Sequence, residues 1–161
     1  LSHAVGLAGV LESTFVVMPG VHSMLRDANI TFSPPPPAVW SAVSLLLPSV
    51  QQVACLINRS LCLWSVTFVY MSAGVSRRPH VDPGSYELII SVTVGGEGLA
   101  QFTTPGGQPL TSNLRASAGD VVAFTGFARW EARHSFINTS TSPRLSIVFR
   151  FGSSSDHTTR R

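Results

Sequence analysis

A chain of 161 residues is long enough to bury one sizeable core and short for two, so a single domain is expected. A hydrophobic fraction of 44% against a charged fraction of 12% excludes a disordered chain, because apolar surface is ample to offset the entropy of ordering. Lysine is absent, and the net charge of +3 comes from eleven scattered arginines against eight acids; that is a slight hint of anionic partners, not the clustered basic signature of nucleic-acid binding, and a coding bias explains it better than a binding surface does.

The opening "LSHAVGLAGVLESTFVVMPG" has no initiator methionine, which suits a fragment, and lacks the basic n-region of a secretory signal. Residues 28 to 58 carry no charge, yet the prolines at 34 to 37, Pro48 and the Gln51-Gln52 pair interrupt them, so no apolar run of about 20 residues survives to cross a membrane. This stretch reads as a proline-rich linker followed by a buried helix over roughly 38 to 58. Cys55 and Cys62 have no second pair with which to build a zinc knuckle or a disulfide framework, and read as buried free thiols. Sequons begin at Asn29, Asn58 and Asn138, triplets common enough by chance to carry little weight.

From residue 62 the texture changes. "LWSVTFVY", "YELIISVTV", "LAQFTT", "GDVVAF", "RHSFIN" and "RLSIVFRF" are short, rich in β-branched and aromatic residues, and separated by Gly, Pro, Ser and Asn clusters. Strands at such intervals suit a sandwich, a barrel or a jelly roll. The expected architecture is mainly β: a double-stranded β-helix, or jelly roll, over 62–152, an N-terminal helical or irregular flank over 1–61, and a disordered tail over 153–161.

Chemistry concentrates at three places. In "SRRPHVDPGSY", an extended backbone would turn His80 and Asp82 to one side and Val81 to the other. His134 follows after 51 intervening residues, in "RHSFIN". Ten residues later the last strand alternates: Arg144, Ser146, Val148 and Arg150 fall on one face, and Leu145, Ile147, Phe149 and Phe151 on the other. The second set is a core face expected to pack against the helical flank. The first, if turned inward, needs an anionic partner for its arginines, and a carboxylate ligand would supply one. Two neutral imidazoles and one carboxylate make the facial triad of non-haem Fe(II) oxygenases, which leaves coordination positions open. A plain alternative stands beside this, since "DPG" is also turn chemistry and His80 and Asp82 would then sit on a surface turn. His3, His22 and His157 read as ordinary surface or core histidines. Arg77 and Arg78 read as a solvated rim, and Phe127 and Trp130 as core packing or loop cover, although stacking on a flipped base is open to them.

The ordered set "PHVD", "GDVVAF", "RHSF" and "RLSIVF" resembles the Fe(II)/2-oxoglutarate-dependent dioxygenases, over about residues 64 to 152. The resemblance implies that His80, Asp82 and His134 hold Fe(II) as the catalytic centre, that Arg144 clamps the distal carboxylate of the co-substrate 2-oxoglutarate, and that Ser146 donates a hydrogen bond to the same group. Within the superfamily, "ELIISVTVGGEGLAQF", "GDVVAFTG" and "RLSIVFR" are similar to AlkB-type demethylases, as are the tyrosine and glycine ahead of H-x-D in "YMSAGVSRRPHVD", a likeness by which Arg150 and Tyr70 become further 2-oxoglutarate contacts. Ser146 departs from the asparagine usual in that branch, no nucleotide-gripping lid is recognisable ahead of residue 62, and the R-x-S at ten residues from His134 is closer to the TET/JBP methylcytosine oxidases.

The implied function is oxidation of a C–H bond, with dioxygen and 2-oxoglutarate consumed and succinate and CO2 released. The expected substrate is a methylated nucleobase in DNA or RNA, with Arg77, Arg78, Arg129 and Arg133 at the mouth of the pocket to hold backbone phosphates. A protein side chain or small molecule is the alternative substrate, and a catalytically inactive jelly-roll binding domain the alternative class. An intracellular setting, nuclear or cytoplasmic, is expected, with no membrane partner.

Overall fold

The computed structural model describes residues 10–16, 30–31 and 37–153. Nine strands and two helices follow in chain order: β1 (Val10–Val16), β2 (Ile30–Thr31), α1 (Pro37–Leu56), β3 (Leu61–Met71), β4 (Tyr86–Gly95), β5 (Glu97–Thr103), β6 (Leu114–Ser117), β7 (Val121–Thr125), α2 (Phe127–Trp130), β8 (Arg133–Asn138) and β9 (Arg144–Ser153). They form a six-stranded sheet in the order β2-β1-β3-β9-β4-β7 and a three-stranded sheet in the order β6-β5-β8. Apart from the parallel β1–β2 contact, neighbours run antiparallel. The chain is thus mainly β, a jelly roll with a helix on its outer face.

The central strands β3, β4 and β9 of the large sheet are covered on both faces, and strand alternation decides which residues go where. On its outer face, Leu63 and Val66 of β3, Leu88 and Ile90 of β4, and Phe149 and Phe151 of β9 pack with Val43 and Val50 of α1, and Ile147 joins them partly buried. On the inner face, Trp64, Tyr86 and Ile89 meet Ala100, Phe102 and Phe124. β9 therefore divides as its sequence alternation predicts, save that Leu145 is exposed. Trp64 lies flat across β9 at Gly152, where any Cβ would overlap the indole.

Several expectations need correction. α1 is a helix but not a buried one: Val43, Leu46, Val50 and Val53 face the sheet, while Leu45 and Leu56 are 83% and 84% exposed. Apolar residues occur all round this charge-free helix, so its periodicity names no single buried face. Pro48 sits inside it, and Asn58 (φ 51°) closes it in the left-handed region, with Arg59 N–H donating to the Ala54 carbonyl. Neither thiol is fully buried; Cys55 is exposed and Cys62 half-buried. The first third also contributes β1, antiparallel to β3 over Val10–Val16. The edge strand β6 and the single-turn helix α2 were not foreseen either, both being too short to show a period. His3, His22, His157, Asn29 and residues 154–161 of the expected tail lie outside the described residues. Among the described residues, no helix is long and apolar enough to cross a membrane.

Candidate metal centre

The segment ahead of His80 runs alongside β8 as a further extended edge. Ser76 pairs with Ile137 and His80 with His134. The two histidines exchange both backbone hydrogen bonds, at 3.0 and 2.8 Å, so they lie directly opposite each other and their rings stand 4.3 Å apart. Asp82 then turns back beneath them while Val81 is exposed. Its Oδ1 lies 3.7 Å from His80 Nε2 and its Oδ2 3.8 Å from His134 Nε2. One donor atom from each of the three side chains falls within 4.8 Å of the others, a His–Asp–His group able to hold a metal ion.

The protonation states suit a divalent cation. His80 Nδ1 lies 2.9 Å from the Arg78 carbonyl, which can only accept, so Nδ1 carries a hydrogen and Nε2 is the ring atom that faces Asp82. Burial among Phe124 and Phe102 pushes the His134 imidazole down to about 3, against the pull of Asp82, which keeps it neutral. Burial alone would raise the Asp82 carboxyl, but the charge and hydrogen bonds of the Arg150 guanidinium outweigh it and hold the group at about 2. Two imidazoles and an ionised carboxylate are a donor set that intermediate divalent metals such as Fe(II) accept.

A narrow cleft leads from this group into the space between the sheets, lined among others by Asp82, His134, Arg77, Arg144, Ser146 and Arg150. Arg144 is only 2% exposed. Its Nη1 donates to Ser146 Oγ at 3.1 Å and its Nη2 to Thr93 Oγ1 at 2.8 Å, and the guanidinium lies 5.1 Å from the centre of the Phe136 ring. Neither hydroxyl carries charge; among the described residues no carboxylate pairs with this cation, and burial alone pushes its pKa down. Room for its stem comes from glycines. A Cβ at Gly98 would overlap the Ile137 carbonyl and crowd Arg144 Cδ at 3.2 Å, and one at Gly96 would come 2.9 Å from Arg144 Cα.

Other residues singled out in the sequence are placed differently. Arg150 lines the cleft, but its Nε and Nη2 reach Asp82 at 3.4 and 3.3 Å and its Nη1 donates to Thr67 Oγ1 at 2.6 Å, so its charge is already matched by a carboxylate. Tyr70 sits between Val69 and Met71, which both line the cleft; strand alternation turns it to the opposite face, away from the cleft. Of the four rim arginines, Arg77 lines the cleft, Arg78 and Arg133 are exposed, and Arg129 is wholly buried. Phe127 and Trp130 are exposed, so they are not core.

Sequence reasoning missed Thr93 and Thr67. Both were legible as polar residues on the inner-facing positions of β4 and β3, in the same phase as Ile89 and Val69. It also missed Asn138, whose buried side-chain amide donates to the carbonyls of Met71, Ser72 and Ser142 and so ties the end of β8 to β3. That asparagine stood out only as a sequon.

No protein-family model and no curated protein sequence matches the chain. Parts of solved structures do: the Drosophila melanogaster CENP-C cupin domain (12% identity, TM-score 0.43, 53% of this chain and 59% of that one), an oxalate oxidase (18%, 0.44, 55% and 41%) and YhaK from Escherichia coli (18%, 0.47, 58% and 37%). This chain spans less than two thirds of each, and the likeness is one of fold alone.

Proposed function

We propose that this protein is an Fe(II)- and 2-oxoglutarate-dependent dioxygenase. The observation that carries the reading is the buried Arg144, a cation with no carboxylate partner among the described residues, lining the same cleft as Asp82 and His134 of the His–Asp–His group. An unmatched guanidinium in such a place favours a ligand carboxylate, which Arg can hold by two parallel hydrogen bonds, and the Ser146 and Thr93 hydroxyls stand beside it. His80, Asp82 and His134 would hold the metal, and Arg144 with Ser146 the far end of 2-oxoglutarate. Bound together, these groups supply the oxidising power for a C–H bond by coupling dioxygen to decarboxylation of the oxo acid to succinate and CO2. The chain's own contribution is to orient and to exclude water. The Arg78 carbonyl orients the His80 ring, Phe124 and Phe136 wall the cleft, and Arg150, itself anchored on the Thr67 hydroxyl, holds the Asp82 carboxylate.

The proposed substrate is a methylated nucleobase in DNA or RNA. The exposed Arg78 and Arg133, each adjacent or nearly so to a candidate ligand, and the exposed rings of Phe127 and Trp130 support phosphate contacts and stacking on a flipped base. The test measures succinate released on methylated oligonucleotides, peptide pools and small molecules, together with binding as salt is raised. Succinate on the oligonucleotide, with affinity falling steeply in salt, supports the reading. Succinate on a peptide or small molecule alone would move the substrate to the alternative class.

One observation favours a second reading. Asp82 is already satisfied by Arg150, an ion pair complete without a cation. A jelly roll that binds a carboxylate ligand at Arg144 and takes up no metal fits that pair equally, and calorimetry with Mn(II) in place of Fe(II) separates the two.

A further inference from the structure

Arg129 lies on α2, between β7 and β8, and has no exposed surface. A buried guanidinium is costly unless charge and hydrogen bonds offset its lost hydration. Here one hydrogen bond is made, from Nη2 to the Gly84 carbonyl at 2.8 Å. The rings of Tyr86 and Trp130 lie 5.7 and 4.6 Å from the guanidinium carbon. Among the described residues no carboxylate comes within ion-pair distance of it, and its Nε and Nη1 make no hydrogen bond. Beyond those two rings, the hydrogen bond to one backbone carbonyl is what this buried cation holds among the described residues, and the place of that contact matters.

Gly84 is two residues beyond Asp82, in the turn that leads into β4, and takes φ +89°, a conformation glycine adopts without strain. Arg129 is five residues ahead of His134. The bond thus joins the turn carrying one candidate ligand to the short helix that opens into the strand carrying another. On the other side of the centre, backbone pairing already fixes His80 to His134. Asp82, on a turn, has no such ladder; Arg150 holds its carboxylate, and the Arg129–Gly84 bond ties the backbone of the turn to the helix just ahead of β8.

We propose that Arg129 is a positioning residue of the metal centre, holding the Asp82 turn where its carboxylate converges with His134. The role rests on the metal reading above. The experiment titrates Mn(II) by calorimetry into the wild-type chain, Arg129→Met, which keeps most of the volume and loses the bond, and Arg129→Lys, which keeps the charge with a single-point donor. Hydrogen exchange at the amides of residues 82 and 84–85 is followed in the metal-free proteins.

The expected result is Mn(II) affinity weakened about tenfold or more in Arg129→Met and about threefold in Arg129→Lys, as partners of ligand-bearing groups typically give. Exchange should quicken at residues 82–85 while β3, β4 and β9 keep their protection. Unchanged affinity in both variants overturns the role, as does protection lost throughout with affinity kept, which is what a merely structural arginine would give. A wild-type chain that takes up no Mn(II) overturns the metal centre itself, and this role with it. Should Arg129→Met fail to fold, Arg129→Lys decides: a weakened affinity with faster exchange confined to the turn supports the role, and wild-type affinity overturns it.

Discussion

At the scale of single residues, the ligand candidates are coupled to a charge that spacing alone does not reveal. His80 and Asp82 were legible because residues two apart share a side, and His134 because it recurs on a late strand. The partner of Arg150 was not, since nothing in one dimension tells whether a strand arginine faces a ligand or a carboxylate 68 positions away. The consequence is that the three ligands are not equivalent under mutation. His80→Ala removes a ring that is 24% exposed and should abolish measurable Mn(II) binding with a smaller change in stability than the loss of Asp82. Asp82→Ala should abolish binding too, but it leaves Arg150 buried without its carboxylate, a loss of about 3–5 kcal/mol. Paired calorimetry and urea unfolding check both. Equal stability of the two variants would mean that the Asp82–Arg150 pair contributes nothing to the fold.

At the scale of elements, alternation was the strongest signal and a period of 3.6 the weakest. β9 could be divided in advance because its inner positions are polar or small and its outer ones apolar, and the structure divides it so from Ser146 to Phe151. Leu145 breaks the pattern because none of the core residues packed around α1 reaches it. The exposure of α1 was not legible, because a helix without charges has no polar face to point outward. Nor was the reason for Gly152, which depends on a tryptophan 88 positions earlier in the chain. Gly152→Ala should force Trp64 off β9 and destabilise the protein by about 1–3 kcal/mol, the usual cost of overpacking. A lower urea midpoint at unchanged m checks this. Trp64 fluorescence should shift in the same variant.

For the whole molecule, the two faces of one sheet separate stability from chemistry, and acid should act on both through the inner one. His134 is held at about 3 in the fold against 6.5 when free, and Asp82 at about 2 against 3.8. For each group the unfolded chain binds the proton more tightly, so the fold is favoured above the free value and loses that advantage as pH falls towards the folded one. His134 makes the metal-free protein lose stability from about pH 6.5 downwards, at no more than about 1.4 kcal/mol per pH unit, and Asp82 steepens the loss below about pH 4. Urea midpoints of the metal-free chain between pH 7.5 and 4.5 should therefore fall before any ordinary carboxylate titrates, and His134→Gln should flatten that part of the curve. A saturating divalent ion should raise the unfolding free energy at pH 7.5 by about 2.7 kcal/mol at a hundred times its Kd, read as a higher urea midpoint. Wild-type and His134→Gln curves that run parallel from pH 7.5 to 4.5 would show that His134 is not held neutral by burial, and would remove the condition on which its service as a metal ligand depends.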